Sequence, residues 1–324
     1  MKGSAGNVSI HLKEIDILKA LLIICIVIGH CITIPYINVF WFHVPAFFIL
    51  AGYFISEPET NPLINKKEWT KKIMRYVVPY FAYSISFYLI FRQEPVVKNL
   101  VRMLYAGYNN ISLYSYPFWF INALFISNIL FLCLLYWTKS SQDKKTEALR
   151  LIICFLLYII IHIPTIYPFK FILPWSVDQS LGAIIFIYVG YCLKNTTLQR
   201  YIIVFPIFTL LFVVLHAFYP EIDYNLNMCQ MSYPDLVLDL LVPLSFTITL
   251  YYLSLGLKYI PYISKILCLI GASSFTIFFT HASVIALWPW QKSFLLVPCC
   301  VVVGCLLHYI FNIYRVTKVL FIGK

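Results

Sequence analysis

The chain has 324 residues, of which 61% are hydrophobic and 11% are charged, and its formal net charge is +11. Soluble domains have about 45–50% apolar and about 25% charged residues, so this composition excludes an ordinary soluble protein and predicts a polytopic membrane protein. The positive charges lie between apolar segments, where membrane proteins carry them on the cytoplasmic side, and we therefore expect no nucleic-acid partner.

Ten segments are apolar over about the 20 residues that a helix needs to cross a bilayer. We expect an all-α integral membrane protein in which residues 1–324 form a single transmembrane domain. The first segment is followed by another span and lacks a small-residue cleavage site, so we expect a retained helix and not a signal peptide. The predicted spans cover residues 13–34, 39–56, 76–93, 117–138, 148–165, 177–194, 200–219, 235–256, 266–288 and 293–314.

The distribution of positive charge predicts the orientation. With the N-terminus inside, nineteen of the 24 Lys and Arg residues fall in inside segments and five fall in outside segments. The positive-inside rule then puts both termini in the cytoplasm. The loop Tyr219–Asp235 carries acidic residues and no Lys or Arg, and we expect it to be external.

Polar residues in the first span share one stripe of a helix. From Lys19 to His30 the helix turns by roughly 1,100°, about 20° past three full turns, and Asp16 lies within about 40° of the same line. A stripe of ionisable groups in a membrane helix must face protein or water, because lipid does not solvate it, and it usually marks a functional site. The alternative is a polar seam that only holds the bundle together.

Single polar residues also interrupt other spans. His43 opens the second span, Asn122 follows Trp119 by three positions, and Ser274 and His281 are seven residues apart, close to two helical turns. The structural alternative for each is a hydrogen bond between helices. The histidines and the ten cysteines show no paired ligand spacing, so we expect no metal site, no disulfide framework and no permanently bound cofactor.

A basic segment follows the second span, with five Lys and Arg residues from Lys66 to Arg75. Anchoring to anionic lipid on the cytoplasmic side would explain such a segment by itself. The functional interpretation is a phosphate-binding surface, because Lys72 and Arg75 would share one face of a helix that enters the membrane.

Taken in chain order, these motifs resemble the membrane-bound acyltransferase family 3, in particular its branch similar to fucose 4-O-acetylases. The resemblance covers approximately residues 11–290. The family usually has Arg where this chain has Lys19, and Arg and Lys are not interchangeable where bidentate contacts matter. The matching elements are Asp16, Lys19 and His30, then Phe42-His43-Val44-Pro45 with Gly52-Tyr53, then Lys72 and Arg75 with Pro79-Tyr80, then Trp119-Phe120 with Asn122-Ala123-Leu124, and finally Gly271, Ser274 and His281.

The resemblance implies an O-acyltransferase of the bacterial cytoplasmic (inner) membrane. It would move an acyl group, most often acetyl from acetyl-CoA, to a hydroxyl of a cell-surface polysaccharide or a lipid-linked saccharide. His30 would be the general base, since histidine titrates near neutrality, and Asp16 and Lys19 would organise the inner part of the cavity. Lys72 and Arg75 would hold the CoA phosphates. Trp119 would stack on a sugar ring or anchor the chain at the membrane interface. The binding site for the substrate and CoA would also include His43, Asn122, Ser274 and His281.

Two other functional classes are compatible with the same residues. A transporter or flippase of a lipid-linked saccharide would use the polar stripe as a translocation path, without acyl transfer or dependence on CoA. A non-catalytic membrane partner with a degenerate site would keep its function when His30 is replaced by Ala. The sequence leaves the oligomeric state and the acceptor sugar open.

Overall fold

A computed structural model describes residues 13–34, 37–91, 95–106, 115–139, 144–163, 173–195, 204–219, 224–289 and 293–324. Within these ranges every regular element is a helix, apart from one isolated β-bridge between Asn227 and Ser232. The predicted all-α class of a polytopic membrane protein is therefore confirmed.

The chain forms α-helices of very different length. Two short π-helices, Ile73–Val77 and Lys318–Ile322, join or extend them. The α-helices are α1 (Lys13–Cys31), α2 (His43–Tyr53), α3 (Lys66–Lys72), α4 (Val78–Phe91), α5 (Val96–Tyr105), α6 (Trp119–Trp137), α7 (Lys144–His162), α8 (Val177–Asn195), α9 (Val204–Phe218), α10 (Leu238–Leu257), α11 (Pro261–Ala272), α12 (Ser274–Leu287), α13 (Leu296–Ile313) and α14 (Arg315–Thr317).

Each of the ten predicted spans contains a helix, but the helices differ in their ability to cross a membrane. Among the described residues, five helical stretches are long and apolar enough by themselves, and a sixth candidate is the bent pair of α11 and α12. The number of spans and the side of each terminus stay predictions. Parts of three predicted spans, residues 92–93, 164–165 and 200–203, lie outside the described residues. The five are Lys66–Phe91, Tyr116–Trp137, Pro174–Lys194, Leu238–Leu257 and Leu296–Ile313.

The predicted span 266–288 is divided in the structure. α11 and α12 meet at an angle of 74°. The break falls in a Gly-Ala-Ser-Ser sequence, and Gly and Ser pairs are common causes of sharp helix kinks. At this point Ser273 donates a hydrogen bond from its hydroxyl to the Leu269 carbonyl at 2.9 Å, which satisfies one carbonyl at the end of α11.

Glycines allow the closest helix contacts. A Cβ atom on Gly52 of α2 would collide with the Ile187 carbonyl of α8, and one on Gly190 of α8 would collide with the Ile49 carbonyl of α2. Gly271 of α11 approaches the Asp16 carbonyl of α1 in the same way. Small residues of this kind let membrane helices pack backbone against backbone. The contact at Gly271 fixes the beginning of α1, where the polar stripe starts.

A buried arginine joins several helices at one end of the bundle. Arg150 of α7 is 2% exposed, and its Nη1 lies 2.8 Å from both Glu57 Oε1 and Glu147 Oε1. Its Nε donates to Thr138 Oγ1 at 2.8 Å. A buried guanidinium is tolerated only with such a full set of acceptors. These contacts fix the end of the α2 segment against α7 and thereby position the helix that carries His43.

Helix α1 lies inside the bundle. It packs against α2, α10, α11, α12 and α13. Its ionisable stripe therefore faces other helices and not lipid, as the sequence analysis expects for such residues.

Candidate active site

Helix α1 carries a charged pair near one end and a histidine near the other. Asp16 is buried, and Lys19 Nζ lies 3.2 Å from Asp16 Oδ1. The pair follows from the helical spacing of three residues, which puts the two side chains on one face. His30 lies about 16 Å farther along the axis, at a rise of about 1.5 Å per residue. One helix thus separates two chemically different regions.

His30 lines a cavity of about 180 Å³ at its end of α1. The wall is mainly aromatic and aliphatic, and a few polar groups converge on it, which is the composition of a typical small-molecule pocket. The segment Leu226–Gln230 closes one side. The lining residues are Ile26, His30, Phe40, His43, Val44, Pro45, Tyr116, Pro117, Trp119, Phe120, Leu226, Asn227, Met228, Cys229, Gln230 and Phe278.

His281 of α12 lies against His30. The two imidazole rings are stacked, with centroids 5.3 Å apart and an interplanar angle of 26°. His281 is fully buried, and its Nδ1 lies 2.7 Å from the Phe278 carbonyl oxygen. A carbonyl only accepts, so Nδ1 carries the proton and the lone pair of the neutral ring is on Nε2. Nε2 is buried and has no hydrogen-bond partner among the described residues.

His43 has the same tautomer for the same reason. Its Nδ1 donates to the Val39 carbonyl at 2.6 Å, one helical turn earlier. Its ring meets the edge of Phe40 at 5.0 Å, and Phe40 in turn contacts the ring of His30 at 5.4 Å. His43 is 2% exposed, whereas His30 is half-buried. His30 is therefore the most accessible of the three histidines in this cluster.

The other end of α1 faces the basic segment. A π-helix, Ile73–Val77, joins α3 to α4 and contains Arg75, which is exposed, while Lys72 precedes it and is half-buried. Lys72 and Arg75 lie close enough to interact electrostatically. Short π-helical turns inside longer helices are often found at functional sites. Cationic side chains open to solvent at this end suit a phosphorylated ligand.

Comparison with known families identifies the family of the chain. A family model described as an acyltransferase domain, of the acyltransferase 3 type, matches residues 12–322. The chain belongs to this acyltransferase family. No curated protein and no solved structure matches the chain. The match includes both ends of α1 and every site residue that the sequence predicts, and it confirms the family, whereas the fucose 4-O-acetylase-like branch stays a prediction.

The structure of this acyltransferase brings some of the predicted site residues together and leaves others apart. His30, His43 and Trp119 line the cavity, and His281 packs behind His30. Asn122 is buried and donates a hydrogen bond from Nδ2 to the Ala106 carbonyl at 3.1 Å. This contact joins two segments of the chain, as expected if Asn122 has a structural role instead of a binding role. Ser274 begins α12 just after the bend and is not among the lining residues. The predicted binding roles of Asn122 and Ser274 stay predictions.

Tyr116 is a cavity residue that the sequence analysis does not identify. Its ring meets His30 edge to face at a centroid distance of 5.1 Å. Phe40 and Tyr116 therefore both contact the imidazole of His30 in an edge-to-face arrangement. The only sequence signal was the position of Tyr116 shortly before the Trp119 motif. Within the described residues, no group of three His, Cys, Asp or Glu side chains could hold a metal ion.

Proposed function

We propose that this acyltransferase moves an acetyl group from acetyl-CoA to a sugar hydroxyl of a cell-surface polysaccharide or lipid-linked saccharide, in the bacterial inner membrane. The observation that carries the proposal is the arrangement along α1. A charged pair and the basic segment lie at one end, and His30 lies in an aromatic cavity at the other. A phosphorylated donor and a sugar acceptor need these two different environments.

His30 acts as the general base. Its imidazole accepts the proton of the acceptor hydroxyl while that oxygen attacks the thioester carbonyl carbon, because a hydroxyl is a poor nucleophile at neutral pH. The tetrahedral intermediate collapses with cleavage of the carbon–sulfur bond. The imidazolium of His30 then gives the proton to the departing thiolate. The products are the sugar ester and free CoA, and His30 returns to its neutral form.

His281 and the two flanking aromatic rings orient His30. Stacking of His281 and the edge contacts of Phe40 and Tyr116 limit the rotation of the imidazole. A base gives its full effect only when its nitrogen is held within hydrogen-bond distance of the proton that it removes. The Nδ1–H group of His281 donates to a backbone carbonyl, which fixes the tautomer of this ring. The fixed ring of His281 supports the proposed orientation of His30.

The donor binds at the opposite end. Lys72 and Arg75 bind its phosphate groups, and charge-assisted hydrogen bonds of this kind are about twice as strong as neutral ones. The pair of Asp16 and Lys19 lies between this region and the cavity on the same helix. The flexible part of the donor extends along α1, so that its thioester reaches His30.

The acceptor binds in the cavity. Trp119, Phe40 and Tyr116 provide ring surfaces for a sugar, and the amide side chains of Asn227 and Gln230 provide polar contacts at the wall. The segment Leu226–Gln230 belongs to the loop predicted to be external. This position supports an acceptor that arrives from the outer side of the membrane.

The test is acetyl transfer by the purified protein, followed with acetyl-labelled acetyl-CoA and membrane saccharide. Mass spectrometry of surface glycans from cells with and without the gene should show a difference of one acetyl mass per modified sugar. A transporter of lipid-linked saccharide would transfer no label in the purified assay. Unchanged glycan masses together with no label transfer would reject the proposed function.

A further inference from the structure

The segment after α13 folds back onto the bundle. α14 and the π-helix Lys318–Ile322 follow the last long helix, and this π-helix packs against α4 and against the other π-helix, Ile73–Val77. The contact is close, because a Cβ atom on Gly323 would lie 2.8 Å from both the Cα and the carbonyl oxygen of Arg75. Gly323 has a φ of 72°, a left-handed conformation that favours glycine.

Apolar side chains hold this segment in place. Phe321 stacks on Phe311 of α13 with ring centroids 4.4 Å apart, and its ring meets Tyr83 of α4 at 5.1 Å. Ile322 is 5% exposed. The Gly323 amide donates to the Lys318 carbonyl at 3.1 Å. Aromatic pairs of this kind add to the energy of simple burial, so the position of the segment is fixed by packing.

The fixed segment brings two more lysines to the basic end of α1. Lys324 lies close enough to Arg75, Lys19 and Lys318 to interact with each of them, and within the described part of the chain Asp16 is the one carboxylate that acts on it. Partial burial, followed by the charges of Arg75, Lys19 and Lys318, lowers the pKa of the Lys324 ammonium, although the residue as a whole stays exposed. Arg75 and Lys324 are exposed, and Lys318 is half-buried, so the cations are open to a ligand from solution.

This cluster has more positive charge than its own carboxylate balances. Lys324 and the three cationic side chains that act on it come from three parts of the chain, and the carboxylate that acts on it, Asp16, is buried and already pairs with Lys19. Like charges held together by packing are unfavourable until an anion neutralises them. A single carboxylate or one phosphate would leave most of this charge uncompensated. The arrangement therefore suits a ligand with several phosphate charges in a small volume.

On the basis of the proposed function, we propose that Lys318 and Lys324 complete the donor site by binding the phosphate groups of a nucleotide-bearing thioester together with Lys19 and Arg75. The donor site is then built from the first helix, the basic segment before α4 and the segment after the last long helix. Both π-helices supply a cation to it, Arg75 from one and Lys318 from the other.

The test compares ligands with and without phosphate groups. The variant Lys318→Gln/Lys324→Gln of the full chain in detergent should bind coenzyme A at least about tenfold more weakly for each lost contact, the size of one charge-assisted hydrogen bond. Its KM for acetyl-CoA should rise in parallel. Its KM for acetyl-pantetheine, which has no phosphate, should not change. Titration calorimetry measures the affinity for coenzyme A, and initial rates measure the two KM values.

Matched variants separate binding from folding. Lys318→Arg/Lys324→Arg keeps both charges and should restore most of the affinity for coenzyme A. Lys265→Gln removes an exposed lysine of α11 that is not among the charges acting on Lys324, and it should leave that affinity unchanged. Equal increases of KM for acetyl-CoA and acetyl-pantetheine in the double Gln variant would show a structural role and overturn the inference.

The inference and the proposed function fail in different ways. Wild-type affinity for coenzyme A in the double Gln variant overturns the inference alone, because the unaltered protein still binds the ligand. A complete lack of coenzyme A binding by the unaltered protein overturns the proposed function, and the phosphate site with it.

Discussion

The two ends of α1 differ in almost every physical property. Around His30 the walls are aromatic and aliphatic, and His43 and His281 are almost fully buried. Around Lys19 the side chains are cationic and partly open to solvent, and the carboxylate of Asp16 pairs with Lys19 itself. The first region is suited to moving a proton within a confined space. The second is suited to recognising charge.

The proposed function assigns the two ends of this helix to different substrates. A proton acceptor works best in a fixed geometry with little competing water, whereas phosphate recognition needs many charges that remain hydrated before the ligand arrives. Substitutions at the cavity end should therefore lower kcat, and substitutions at the cationic end should raise KM for the donor.

Replacing His30 with Ala should lower kcat by about 10²–10⁴, the usual effect of losing a general base. The affinity for coenzyme A should remain, since the cationic end is about 16 Å away along the helix. Single-turnover acetyl transfer and calorimetry on the same preparation measure the two effects. More than about a tenth of the wild-type kcat would fall outside that range and would move the base assignment to His43 or His281.

Replacing both Lys72 and Arg75 with Ala should raise the KM for acetyl-CoA and leave kcat nearly unchanged. The loss of two charge-assisted phosphate contacts costs on the order of 2–5 kcal/mol together. Initial rates over a range of acetyl-CoA concentrations measure both KM and kcat. If the KM stays at the wild-type value in a well-folded double variant, the basic segment serves only to anchor the chain to anionic lipid.

Replacing Lys19 tests whether its charge or its shape matters. Lys19→Arg keeps the cation beside Asp16 and should retain activity, whereas Lys19→Ala leaves a buried carboxylate without its charged partner and should lower kcat/KM by about tenfold or more. Expression and melting temperature of both variants serve as controls. Equal activity of the Ala variant and the wild type would remove Lys19 from the site.

Tyr116 should act through its ring. Tyr116→Phe keeps the edge contact with His30 and should have kcat close to the wild-type value, whereas Tyr116→Ala should lower kcat several-fold, since an aromatic contact is worth about 0.5–1.5 kcal/mol. Rates measured at saturating substrate compare the pair. A large loss in the Phe variant would instead assign a direct role to the Tyr116 hydroxyl.

Cysteine labelling tests on which side of the membrane each end of α1 lies. The cavity end should face outward, because the loop Tyr219–Asp235 that partly covers it is predicted to be external. Asn225 is exposed, and a membrane-impermeant thiol reagent should label Asn225→Cys in intact cells. Lys66→Cys should be labelled only after permeabilisation. The reverse pattern would invert the assignment of donor and acceptor sides. Residues 220–223 of the loop lie outside the described residues.

The sequence by itself determined the class of protein and the contents of the first helix. Composition is enough to predict a polytopic all-α protein. Inside a lipid bilayer few structures can form all the hydrogen bonds of the backbone N–H and C=O groups, and the α-helix is one of them. Helical periodicity places Asp16, Lys19 and His30 on one stripe, since the spacing along one helix depends only on local geometry. The contact between Asp16 and Lys19 follows from the same rule. The motifs likewise indicated the family that the comparison confirms.

Only the tertiary structure decided what meets His30 and what surrounds Lys19. The stacking of His281 on His30, the edge contact of Tyr116, and the bend between α11 and α12 depend on helices that are far apart in sequence. The approach of Lys324 to Arg75 depends on a segment that the sequence marked only as positive charge. Helical periodicity predicts which residues share one face of a helix. It does not predict which helix packs against that face, because close packing between helices determines the partner.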